Sequence, residues 1–135
     1  MSVNSLRKHE ILRKEQFIAA LFRIRKKLNG EYVTIVYGHL ETGAEHRRVP
    51  AAVLFAVGRK KVRDAVSRNR VRRLLKEAYR LEKHLLTDKR TTGCDPRISK
   101  TLCLAIIYRG SGRDLPSLDV LRREISRLLF TILNS

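Results

Sequence analysis

The feature that most constrains this chain is a segment in which charge and hydrophobicity are sorted by helical period. Between residues 59 and 80, ten Lys or Arg stand against two acids, Asp64 and Glu77, a local charge of +8. Val71, Leu74, Leu75, Ala78, Leu81 and Leu85 recur at helical spacing as one apolar stripe. The spacing predicts a helix over residues 65–86. With Val71 at zero and about 100° per residue, the stripe centres near ~330°. Asn69, Arg72, Arg73, Lys76 and Arg80 fall between roughly 100° and 200°, on the opposite side. Arg68 and Arg70 flank that ridge at its N-terminal end. One face is therefore core and the other a row of cations.

Such a ridge is not free of cost. Arg72, Lys76 and Arg80 repeat at i, i+4, about 6 Å apart, and each like-charge pair costs roughly a few tenths of a kcal/mol. An ordinary solvated face mixes signs, so a one-signed ridge points to a polyanionic ligand. Arginine outnumbers lysine here, seven to three. A guanidinium fork grips phosphate bidentately and stacks on an exposed base, which an ammonium does less well. Asn69 offers both a donor and an acceptor. Arg59, Lys60 and Lys61 stand just before the helix.

The whole chain agrees with that reading. Its 135 residues carry 30 Lys+Arg and 13 Asp+Glu, a net charge of +17. Self-repulsion of that size favours a polyanionic partner. The length suits one domain, residues 1–135, and a 43% hydrophobic fraction supports a folded core. The longest apolar stretch, residues 49–57, has nine residues, against the roughly 18–20 that a helical membrane span requires. An acidic membrane surface is disfavoured as ligand because the apolar stripe is needed inside. The first 14 residues include Glu10 and lack an apolar signal core, so the cytoplasm is the expected compartment.

Catalytic and metal signatures are weak. Cys94 and Cys103 are nine apart, without metal-type spacing. His9, His39, His46 and His84 are scattered. Cys103 lies within Leu102-Cys103-Leu104-Ala105-Ile106-Ile107 and reads as a small buried hydrophobe. No Ser/His/Asp set, His pair or carboxylate cluster marks a general acid–base site. The expectation is no catalytic residue and no protein-borne metal.

Along the chain, residues 11–27 have helical periodicity, stopped by Asn29-Gly30. Residues 32–37 form a β-branched and aromatic strand. Residues 38–45 read as a turn. Residues 49–57 form a strand apolar on both faces, as at a sheet centre or under cover on both sides. After the basic helix, residues 87–100 form a long polar connection, expected to be mobile along with residues 1–5. Residues 102–108 form a third strand. A last helix, capped by Ser117 or Asp114, places Leu118, Leu121, Ile125, Leu128, Leu129 and Ile132 on one face. The strands flanking the basic helix are positioned to pair in parallel through it. The order predicts an α+β or α/β sandwich with a small sheet.

The run from Gly58 to Glu77 contains Gly58-Arg59-Lys60-Lys61, Ala65-Val66 and Arg68-Asn69-Arg70-Val71-Arg72-Arg73-Leu74-Leu75-Lys76-Glu77. It resembles the signature of the bacterial ribonuclease P protein subunit, and nearly every position matches in order. Leu6-Arg7-Lys8-His9 and Gln16-Phe17 resemble the family's opening more weakly. The similarity spans roughly residues 5–132. It implies an α+β fold, a two-layer α–β sandwich with a four-stranded mixed sheet, three helices and a left-handed βαβ crossover, against the usual handedness. The fourth strand is expected from residues 46–50 or from a split second strand.

The resemblance also implies a division of labour. A catalytic RNA removes the 5′ leader of precursor tRNA with Mg²⁺ held by the RNA, and no obligate protein partner is implied. By position, Lys60, Lys61, Arg68, Asn69, Arg70, Arg72, Arg73 and Lys76 contact that RNA. A cleft between the first helix and the sheet holds the leader, with Phe17 and Tyr37 at its aromatic positions and Leu21 or Phe22 beside them. The alternatives are a ribosomal-type structural RNA-binding protein with no role in cleavage, and a self-sufficient nuclease.

Overall fold

The computed structural model describes residues 10–41, 51–86, 101–111 and 115–134. Expectations for residues 1–5, 46–50 and 87–100, for Cys94 and for Asp114 as a cap lie outside them. Seven elements follow in chain order. They are helix α1 (Glu15–Ile24), strands β1 (Lys27–Asn29), β2 (Val33–Leu40) and β3 (Ala52–Val57), helix α2 (Ala65–Glu82), strand β4 (Thr101–Tyr108) and helix α3 (Leu118–Leu133).

The four strands form one mixed sheet in the order β1-β2-β4-β3. β1 pairs antiparallel with β2, β2 antiparallel with β4, and β3 parallel with β4. Helix α2 is the crossover of that parallel pair. Both long helices after β3 start on side-chain caps, which satisfy backbone donors that the first turn leaves open. Asp64 accepts from the Ser67 backbone N–H at 3.2 Å. Ser117 Oγ accepts from the Val120 N–H at 3.3 Å.

Alternation along the strands sorts the core into two clusters. On one face, Val33 and Ile35, Val53 and Phe55, and Leu104 and Ile106 meet Val71, Leu75, Ala78 and Tyr79 of α2 and Leu121, Ile125 and Leu129 of α3. The Phe55 ring stands edge-on to Tyr79, centroids 5.8 Å apart. This layer pair is the body of the sandwich. On the opposite face, Val36, Ala52, Cys103 and Ala105 lie under Leu12 and Leu21. Each fully buried large aliphatic side chain contributes about 1.5–3 kcal/mol.

Three expectations need correction. The predicted first helix is shorter, because Arg25 turns into the left-handed region (φ 61°) and ends it. Lys27–Asn29 then becomes the fourth strand, in place of residues 46–50 or a split second strand, because the chain that leaves the helix at Arg25 runs back along β2. Gly38 is no turn residue. It lies within β2, where a Cβ would come within 2.5 Å of Ile24 Cδ1, so glycine permits the close approach of α1. The apolar strand β3 sits at the sheet edge with both faces covered, Val53 and Phe55 by one cluster and Ala52 by the other, which is the second of the two readings its composition allowed. Its outer side is partly closed by Leu12, whose N–H donates to the Val53 carbonyl at 2.9 Å.

Two buried carboxylates fasten these parts. Glu124 of α3 accepts from the backbone N–H groups of Glu31, Tyr32 and Val33, locking the β1–β2 turn onto the helix. Glu10 pairs with Lys83 at 3.0 Å, both buried, tying the start of the described chain to the end of α2.

Candidate nucleic-acid interface

The α2 helix carries its apolar stripe inward as its periodicity requires. Val71, Leu75 and Ala78 are at most 1% exposed. On the other side Asn69, Arg70, Arg73 and Lys76 are exposed, and Arg72 is half-buried. None of the four cations Arg70, Arg72, Arg73 and Lys76 makes an ion pair among the described residues. The side chain of Arg72 is oriented by Asn69, whose Oδ1 accepts from Arg72 Nη1 at 3.0 Å. The asparagine between two arginines therefore aims a third one.

Two arginines near the ridge are committed within the protein. Arg68 Nη1 donates to the carbonyls of Val62 at 3.0 Å and Arg63 at 2.7 Å. It holds the loop before α2 in place, in addition to any external contact. Arg80 forms a two-pronged pair with Glu77. The Arg80 hydrogen bond holds the Glu77 carboxyl below its ordinary range, and Glu77 holds the Arg80 guanidinium above its own. The open ridge therefore ends at Lys76, one turn earlier than the wheel placed it.

Residues 58–64 form the second part of the site. The Val62 N–H donates to the Gly58 carbonyl at 3.1 Å, and Val62 is 1% exposed. This anchor leaves Lys60, Lys61 and Arg63 exposed around an open pocket of about 470 Å³, completed by Asp64, Ser67 and Ser111. Hydrogen bonds from Ser67 keep the Asp64 carboxyl below its usual range, so it stays charged as the helix cap. Sequence reasoning found the lysines but missed Ser67 and Ser111. The Gly110-Ser111 turn follows β4, and only the parallel pairing brings it beside the start of α2.

The cleft residues divide. Phe17 is half-buried against the α1-side cluster, with Lys14 Nζ 5.8 Å from its ring centroid. Leu21 is fully buried and serves as core. Phe22 is 42% exposed on the outer side of α1. Tyr37 is a correction. It pairs with Leu104 in β2–β4 register and packs against the α2–α3 core, on the face away from α1. Even-numbered β2 residues face α1, so a one-residue step sends Tyr37 to the other side. Ile18, Leu40, Leu54 and Ile107 are the half-buried side chains that accompany Phe17. Strand alternation from Cys103 and Ala105 was the signal that could have found Ile107.

Among the described residues, no three His, Cys, Asp or Glu side chains gather as a metal site. No helix there is long and apolar enough to cross a membrane. Burial pushes the Cys103 thiol up to about 11, well out of the reactive range.

These features define a class: a small α+β sandwich whose parallel crossover helix shows a bare guanidinium-rich face. The chain belongs to the ribonuclease P protein family, whose model, Ribonuclease P, matches residues 6–131. It is 48% identical to the ribonuclease P protein component of Chlorobium phaeobacteroides, across 98% of this chain and 90% of that one. The corresponding protein of Chlorobaculum tepidum is 37% identical, across 98% and 85%. In fold it is similar to the ribonuclease P protein of Staphylococcus aureus, with a TM-score of 0.60 at 10% identity over 91% of this chain and 94% of that one.

Proposed function

We propose that this protein is the RNA-binding subunit of a ribonuclease P ribonucleoprotein and assists removal of the 5′ leader from precursor tRNA. The observation that carries the reading is the ridge of Arg70, Arg72, Arg73 and Lys76, which is open to solvent and pairs with no carboxylate among the described residues. It grips phosphates of the catalytic RNA, with Lys60 and Lys61 extending the contact and Arg68 and Asn69 holding loop and guanidinium in place. The α1 cleft, with Phe17, Ile18 and Ile107, takes the single-stranded leader by stacking and apolar contact.

The chemistry belongs to the RNA in this reading. Mg²⁺ held by the RNA supplies the hydrolytic activation, and the protein contributes no ligand to it. What the protein adds is positive charge where RNA meets RNA. Cations fixed on α2 and its preceding loop screen the repulsion between the catalytic RNA and its substrate, which free Mg²⁺ must otherwise screen. Reconstitution with a catalytic RNA from a bacterium carrying one of the similar proteins tests this. Cleavage of precursor tRNA at low Mg²⁺ is expected to accelerate when the protein is added. Unchanged cleavage, together with co-purification of the native protein with ribosomal subunits alone, would refute the assignment.

A further inference from the structure

A second group of cations lies far from α2. Arg23, Arg25, Lys26 and Lys27, at the end of α1 and the start of β1, are all exposed. None makes an ion pair among the described residues. Arg23 alone has a local explanation, since a cation in the last turn complements the helix dipole. Arg25 has the opposite of one. It occupies the C-cap at φ 61°, where glycine is unstrained and an L side chain is disfavoured. Edge lysines discourage strand addition, but that purpose needs only Lys27.

The surroundings suit a flexible strand. The Lys26 carbonyl accepts from the Tyr37 N–H at 3.0 Å, which fixes the backbone of the corner. Lys27 lies opposite Val36, on the α1 side of the sheet where the cleft opens. Phe22, 42% exposed, precedes Arg25 by one helical turn. The α2 ridge belongs to the other face, and β1 is three strand spacings, about 14 Å, from β3. A folded RNA seated on α2 has the sheet between itself and this corner. Four cations and an exposed aromatic ring together match the chemistry of a single strand, with phosphates to pair and bases to stack.

We propose that the α1–β1 corner is a second RNA-binding site, taking the phosphates of a single strand that continues beyond the α1 cleft. The proposal rests on the cleft reading above. Its test compares labelled oligouridylates of about 6 and about 12 nucleotides, bound to the full-length protein across a salt series. The variant is Arg23→Gln/Arg25→Gly/Lys26→Gln/Lys27→Gln, with Arg25→Gly alone as the mildest form, since glycine suits that backbone.

The wild type is expected to bind the longer strand more tightly. The fourfold variant is expected to lose about tenfold on the longer strand and little on the shorter. Its log–log salt slope should flatten by about 2–3, at roughly 0.7 per lost phosphate contact. A variant that keeps the wild-type length preference and slope, with an unchanged melting temperature, overturns the proposal. A Phe17→Ala variant that binds both oligonucleotides as the wild type does refutes the cleft reading instead. The corner is judged on the length increment and salt slope of the charge variant, independently of Phe17.

Discussion

Single atoms decide two features of this protein. Glu124 is 7% exposed, and its two carboxylate oxygens satisfy three backbone donors of the β1–β2 turn. Replacement by alanine leaves the buried Val33 donor without that partner, at roughly 1–3 kcal/mol, and the part-buried Glu31 and Tyr32 donors only partly compensated by water. Glu124→Ala is therefore expected to lower unfolding free energy by about 2–4 kcal/mol in urea titrations. A loss below about 0.5 kcal/mol would show that the turn holds itself. Tyr79 presents the reverse case. Its hydroxyl is buried without a hydrogen-bond partner among the described residues, and burial raises its pKa strongly. Tyr79→Phe removes an unpaired group and keeps the ring against Phe55, so stability is expected to hold or to rise by up to about 1 kcal/mol. A clear drop in the same titration would mean that the hydroxyl is paired after all.

At the scale of elements, α2 divides into a side packed in the core and a cationic side open to solvent, where the proposal seats the RNA. Leu75→Ala opens a cavity in the core and is expected to cost about 2–5 kcal/mol of stability. Acid acts on the same helix through Asp64 and Glu77. Both carboxyls have folded-state pKa values lowered from the ordinary 3.8 and 4.5. A lowered folded pKa contributes stability that is present above the unfolded value and is lost as pH falls through the folded one. The melting temperature should therefore decline below about pH 4, and the Asp64→Asn/Glu77→Gln variant should decline less. Parallel decline in both proteins would exclude these groups as the cause.

How much of an element could be read in advance depended on the range of its determinants. The faces of α2 and α3 were legible because periodicity is local and Asp64 and Ser117 are local caps. The fourth strand was not, because Lys27-Leu28-Asn29 has no strand character of its own. It pairs with β2 only after Arg25 leaves the helical region. Tyr37 was misplaced because register fixes its face, and register depends on Leu104, 67 residues later. The commitment of Arg80 to Glu77 and of Arg68 to the loop carbonyls depends on rotamers that the spacing alone leaves open.

Across the whole molecule, the sheet separates two charged regions that a count of +17 cannot distinguish. One is the α2 ridge with the lysine loop at its start. The other is the α1–β1 corner beside the cleft. The direct test of the account is the salt dependence of catalytic-RNA binding by the wild type and by Arg70→Ala/Arg73→Ala/Lys76→Ala. These three side chains are exposed and unpaired among the described residues, so the melting temperature should not move. The account predicts weaker binding by roughly 1–3 kcal/mol per side chain and a log–log slope flatter by about 2–3. Equal affinity and equal slope in a folded variant would contradict it.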